Sequence, residues 1–206
     1  MRNMVRALVV TTALAAAPAA HANTWYTFGG DEFALTPTAG DWNTEEAQAV
    51  SDGGFLATIP DQATENFIIS TFLTPQPTPL PLWIGFYDPT QDSLGGSHAS
   101  NFVWASGAPV TYTDWNTATG EPNNTSGIEY YTAINWHTAV GEAGVVGTWN
   151  DVPLDGTTGY GGSTTGPYFG IEEVAVPEPG TLGLLGLGLA ALGLVRTRQR
   201  RETVGI

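Results

Sequence analysis

Glu121-Pro122-Asn123-Asn124-Thr125-Ser126-Gly127-Ile128-Glu129 is followed, twenty residues after Glu129, by Trp149-Asn150-Asp151. Carboxylates and side-chain amides are the ligands a hard divalent cation takes, and Ca²⁺ binds about six to eight such oxygens at about 2.3–2.6 Å. A cis peptide at Pro122 would hold the Glu121 and Asn123 side chains on one side of a tight loop. Trp149, apolar and directly before Asn150 and Asp151, is expected to be a buried anchor that fixes where those two side chains sit.

Glu-Pro-Asn at 121–123, a Glu eight residues after the first, and Trp-Asn-Asp at 149–151 together resemble the sugar-binding calcium site of the C-type lectin domain. The resemblance implies an α+β fold: two helices flanking small antiparallel sheets, with a long calcium-binding loop region. It implies a Ca²⁺ ion held by Glu121, Asn123, Glu129, Asn150 and Asp151. Glu121, Asn123, Glu129 and Asn150 would also hydrogen-bond two vicinal sugar hydroxyls, amides as donors and carboxylates as acceptors. In that family Glu-Pro-Asn goes with mannose-, glucose- or N-acetylglucosamine-type sugars. Tyr130, Trp136 and His137 could line the site, although an aromatic in a strand is more often core and His137 reads as a loop residue.

The same family normally carries two disulfides, whereas this chain has no Cys. Aligned on the motifs, the four cysteine positions fall near Ala49, Ile171, Tyr131 and Leu154. The resemblance therefore implies a disulfide-free version in which packing replaces both cross-links. Losing a native disulfide typically costs about 2–5 kcal/mol.

The charge distribution bounds the function further. All six cationic residues are Arg2, Arg6, Arg196, Arg198, Arg200 and Arg201. Of the twenty acids, only Glu178 and Glu202 fall outside residues 23–176, so that segment holds eighteen acids and no Lys or Arg. Such a domain repels nucleic acid and anionic surfaces, and bound Ca²⁺ would relieve its self-repulsion locally.

Residues 1–22 read as a secretory signal peptide: Arg2 and Arg6 at the start, an apolar run Ala7 to Ala17, and the small-x-small cleavage site Ala20-His21-Ala22. Residues 23–175 form the lectin-like domain. At the other end, Pro177-Glu178-Pro179 precedes an apolar stretch at 181–195 and an Arg-rich end. Residues 176–206 thus resemble the PEP-CTERM sorting signal of Gram-negative bacteria. That resemblance implies transient inner-membrane anchoring through 181–195, processing by an exosortase-type enzyme, and delivery to the cell surface or extracellular matrix. The alternative is a plain single-span anchor.

Within the domain, Trp25–Phe28 reads as a first strand. A helix is expected from Asn43, with Glu46 as capping-box partner and Trp42, Ala47 and Val50 facing the core. Phe55–Ile59 reads as an alternating strand, and a second helix follows Asp61 with Ala63, Phe67, Ile68 and Phe72 on its apolar face. Leu82–Phe86, Phe102–Trp104, Glu129–Ile134, Val145–Asp151 and Tyr168–Val174 supply the remaining strands, with an insertion at 135–147 and a Gly- and Thr-rich loop at 156–166.

Three function classes follow. The first is a calcium-dependent module binding a polysaccharide or glycan. The second is an adhesive or structural matrix protein in which calcium only rigidifies the loop. An enzyme is not expected, because no Gly-x-Ser-x-Gly, His-Glu-x-x-His or phosphate-binding loop is present.

Overall fold

A computed structural model describes residues 24–74, 80–92, 98–137, 145–157 and 166–176. The signal region with Ala20 and Ala22, the Pro177-Glu178-Pro179 motif and the apolar run 181–195 lie outside the described residues, as do parts of the expected insertion and of the Gly- and Thr-rich loop. Among the described residues no helix is long and apolar enough to cross a membrane.

Two helices flank two small antiparallel sheets. The first sheet has the order β1-β2-β8-β3, from β1 (Tyr26–Phe28), β2 (Asp31–Leu35), β3 (Phe55–Leu56) and β8 (Ile171–Ala175). The second has the order β5-β4-β6-β7, from β4 (Leu82–Tyr87), β5 (Val103–Trp104), β6 (Tyr131–Ile134) and β7 (Trp149–Val152). Bonds from Trp83 N to Phe169 O (2.9 Å) and from Gly85 N to Ala57 O (3.0 Å) stitch the two sheets together.

β4 is buried from Leu82 to Phe86 because it lies inside its sheet and packs on both faces. Gly85 is required there: a Cβ would stand 2.3 Å from the Leu56 carbonyl oxygen. The two indoles that flank this crossing are satisfied. Trp42 Nε1 donates to Ile84 O at 2.9 Å, and Trp83 Nε1 donates to Gly40 O at 3.0 Å.

The helices correct three expectations. α1 (Trp42–Ser51) is capped by Asp41, whose side chain accepts from Thr44 N. Glu46 does not close a capping box; its carboxylate accepts from Leu56 N at 2.9 Å. The buried face is Trp42, Glu45 and Ala49, while Ala47 and Val50 are exposed. α2 (Gln62–Ile68) starts at Asp61 as expected and continues through a π-helical turn at Ile69–Leu73. Ala63 is exposed there, and Thr64 and Glu65 are buried instead. The strand expected over Phe55–Ile59 shortens to Phe55–Leu56, and β2 is a strand beyond those expected. At the positions where the resemblance would place cysteines, Ala49, Tyr131 and Ile171 are buried; Tyr131 packs against Trp42 (ring centroids 5.1 Å), with Leu154 at the edge of the same cluster.

From β5 to β6 the chain runs as a long loop that is pinned back onto β7. Trp149 N donates to Asp114 O (2.8 Å) and Asn116 N donates to Trp149 O (2.9 Å). Trp149 is the anchor the sequence suggested: it is fully buried, and its Nε1 donates to Glu65 Oε1 of α2 at 2.9 Å.

Candidate calcium and glycan site

The pinned loop brings Glu121, Asn123 and Glu129 over β7, which carries Asn150 and Asp151. The Glu121–Pro122 peptide is cis. The loop turns through left-handed backbone at Asn124 (φ 45), Ser126 (φ 62) and Gly127 (φ 67), which points consecutive N–H groups inward.

Asp151 is the hub. It is fully buried; Oδ1 accepts from Asn123 N at 3.0 Å, and Oδ2 accepts from Asn124 N at 2.7 Å and lies 2.9 Å from His98 Nε2. Glu129 Oε2 accepts from Thr125 N at 2.6 Å, and Glu129 N donates to Asn124 Oδ1 at 3.0 Å. The Asn123 side-chain oxygen accepts from the Thr125 hydroxyl. Glu121 Oε1 lies 3.0 Å from His137 Nε2 and accepts from Thr119 Oγ1 at 3.3 Å.

Electrostatics place the three carboxylates in one field. Burial pushes Glu129 up to about 8, reinforced by the charges of Asp151 and Glu121. Burial also raises Glu121; the His137 hydrogen bond opposes this and Asp151 adds to it. His98 is the converse case: burial disfavours its charged form, but its bonds to Asp151 and Asp88 outweigh burial and raise it.

Whether the set suits Ca²⁺ can be tested on the unpaired atoms. Glu121 Oε2 and Asn150 Oδ1 are buried without a hydrogen-bond partner. A buried polar oxygen left unpaired is costly, and both are hard donors of the kind Ca²⁺ takes. Among the described residues no three His, Cys, Asp or Glu side chains form a ready metal cluster, so the set depends on its amides. The loop joins Glu121, Asn123, Glu129 and Asp151 through bonds and shared field, whereas Asn150 is tied in only by its place beside Asp151 in β7. On the chemistry of its donors the set fits.

Asp88, His98 and Asn124 escaped the sequence reading. His137 is not a bystander in a loop: it is buried on Glu121. A signal for both histidines was available, because they are the only side chains between residues 23 and 176 that can become cationic.

Residues 175–201 match the PEP-CTERM protein-sorting motif. Ladderlectin of Oncorhynchus mykiss is 31% identical over 135 residues, which cover 62% of this chain and 59% of that protein. The chain thus spans about 59% of the length of that curated relative. Among solved structures, herring type II antifreeze protein superposes with a TM-score of 0.54 at 20% identity, covering 74% of this chain and 97% of that one. The C-type lectin domain of murine dendritic cell inhibitory receptor 2, solved in complex with N-glycan, gives 0.52 at 21% identity, covering 74% and 96%. The fold of this chain is therefore the C-type lectin-like fold, built without disulfides. The chain joins that domain to a PEP-CTERM sorting motif, which marks it for export by way of the cell envelope.

Proposed function

We propose that the chain is an exported, calcium-dependent carbohydrate-binding protein of the mannose/glucose type, acting at the surface or in the extracellular polysaccharide matrix of a Gram-negative bacterium, and not an enzyme. The observation that carries this reading is the pair of unpartnered buried oxygens, Glu121 Oε2 and Asn150 Oδ1, within the Glu121, Asn123, Glu129, Asn150 and Asp151 set. When bound, Ca²⁺ supplies coordination for two neighbouring sugar hydroxyls. The Asn123 and Asn150 amides donate to those hydroxyls, and the Glu121 and Glu129 carboxylates accept from them. Asp151, held by two loop N–H groups, keeps the loop over β7.

In this reading residues 1–22 are a signal peptide cut at Ala20-His21-Ala22, and 23–175 are the binding domain. Pro177, Glu178 and Pro179 open a sorting signal read by an exosortase-type enzyme, with 181–195 as a transient inner-membrane anchor. Ladderlectin and the N-glycan-bound receptor support the glycan; the antifreeze protein shows that the same fold serves other ends.

A second reading, a calcium-stabilised matrix protein without sugar binding, is favoured by the low exposure of the set: Glu121 8%, Glu129 5%, Asn150 4% and Asp151 0%. Calorimetric titration of the full chain with Ca²⁺ and then mannose, with EDTA as control, separates the two. Glu121→Ala or Asp151→Ala should abolish calcium and mannose binding together. Mannose binding that survives either change rejects the mechanism; calcium uptake with no monosaccharide binding favours the matrix protein.

A further inference from the structure

The two carboxylate oxygens of Glu121 have unlike surroundings. Oε1 lies 3.0 Å from His137 Nε2 and 3.3 Å from the Thr119 hydroxyl, whereas Oε2 is buried without a hydrogen-bond partner. A carboxylate oxygen only accepts, so the hydrogen in the first contact is the ring's: His137 carries it on Nε2 and donates. The neutral imidazole does this, and no charge on the ring is needed.

The ring is placed from the side of the sheet, not by the loop it meets. Asn135 N donates to Thr148 O at 2.8 Å, Asn135 Oδ1 accepts from Gly147 N at 3.4 Å, and Asn135 Nδ2 donates to Leu80 O at 3.3 Å, which fixes the turn directly after β6. Trp136 is buried in the core cluster with Trp42, Trp83 and Tyr131, and its ring meets His137 edge-on with centroids 4.8 Å apart. His137 is itself buried. Thr119 Oγ1 stands 3.1 Å from the same Nε2 and donates to Asn116 O at 3.1 Å. Hydroxyl and carboxylate meet one ring nitrogen, so the three do not form the hydroxyl–imidazole–carboxylate series of a nucleophilic triad.

Building on the calcium reading above, we propose that His137 is a positioning residue for Glu121. By taking Oε1 it fixes the rotation of the carboxylate and leaves Oε2 alone for the metal, before any metal arrives. Glu121 is then a one-oxygen ligand, oriented by a ring sixteen residues along the chain. Asp151 and Glu129 are fixed differently, by the loop N–H groups of Asn123, Asn124 and Thr125. Removing an outer-shell donor of this kind typically costs about 10–100-fold in metal affinity.

Calorimetric calcium titration of the full chain, with circular dichroism to report the fold, tests this on two variants. His137→Phe keeps an aromatic ring against Trp136 and has no donor; His137→Gln keeps a side-chain N–H donor. His137→Phe should bind Ca²⁺ about 10–100-fold more weakly than the wild type, and His137→Gln should recover most of that loss. His137→Ala is the donor-free variant read if Phe does not fold. A second readout needs no metal: the drop in melting temperature that His137→Phe causes in EDTA should vanish in a Glu121→Ala background. Calcium affinity unchanged by the donor-free variant, an equal loss in His137→Gln, or the same drop in melting temperature in both backgrounds overturns the proposal and leaves the calcium reading intact. No calcium uptake by the wild type overturns that reading and this proposal with it.

Discussion

Glu65 on α2 is fully buried, yet no Lys or Arg exists in the domain to pair with it. Its Oε1 accepts from Trp149 Nε1 at 2.9 Å, its Oε2 accepts from the Tyr112 hydroxyl, and the Asp114 carboxyl lies within hydrogen-bonding reach. Burial, joined by the charge of Asp114, pushes Glu65 from 4.5 up to about 7 despite the Tyr112 and Trp149 donors. The folded protein therefore keeps a proton that the unfolded chain releases. That contribution is fully present below about 4.5 and is lost as pH rises through about 7. A displacement of that size corresponds to about 3 kcal/mol. Glu65→Gln reproduces the protonated side chain and cannot ionise. Urea unfolding in EDTA at pH 5 and pH 8 should show the wild type losing on the order of 3 kcal/mol more than Glu65→Gln between the two conditions. Parallel pH profiles for the two proteins would refute the argument.

Two further outcomes follow from other parts of the molecule. Burial holds Glu129 at about 8, so under the calcium proposal it would give up a proton at pH 7 on ligating Ca²⁺. Titrations in buffers of different ionisation enthalpy should therefore show proton release on calcium binding at pH 7 that vanishes by pH 9; equal heats in all buffers at pH 7 would contradict this. Gly85→Ala forces a Cβ to 2.3 Å from Leu56 O between the two sheets and should cost about 1–3 kcal/mol or more, read as a lower melting temperature. An unchanged melting temperature would mean that the inter-sheet crossing yields more easily than the packing implies.

What the sequence disclosed was whatever depends on local chemistry. The Asp61 cap, the unbroken apolar run of β4 and the loop residues Glu121, Asn123 and Glu129 were all readable from their own neighbourhoods. What it hid depends on partners far along the chain. β2 opens on the two acids Asp31-Glu32, and what makes it a strand is pairing with β8 in register from Asp31–Ala175 to Leu35–Ile171. The core face of α1 differs from the expected Trp42, Ala47 and Val50 because Glu45 is buried, its carboxylate met by Thr36 Oγ1 and by Gly170 N, the latter 125 residues away. Phe55–Ile59 fails to alternate because Ala57 N bonds Ile171 O and Thr58 N bonds the Glu173 side chain, leaving Leu56 to Ile59 all buried.

The same shortage of cations explains why a metal would be needed at one end of the molecule and not the other. Burial raises Glu45, Glu46, Glu65, Glu173, Glu121 and Glu129 alike. Away from the long loop, backbone N–H groups and hydroxyls answer these acids: Gly170 N and Thr36 for Glu45, Leu56 N for Glu46, and Thr58 N for Glu173. Protonation of Glu65, Glu46 or Glu173 therefore leaves a satisfied interior. At the long loop the N–H groups of Asn123, Asn124 and Thr125 are already spent on Asp151 and Glu129, and both available imidazoles are engaged with Asp151 and Glu121. Glu121 Oε2 and Asn150 Oδ1 are then left without a donor. A proton on Glu121 can satisfy that oxygen and be shared with one acceptor, but it cannot gather Glu121, Asn123, Glu129, Asn150 and Asp151 at once. A divalent cation can, and the place where the domain's own donors run out is where it would bind.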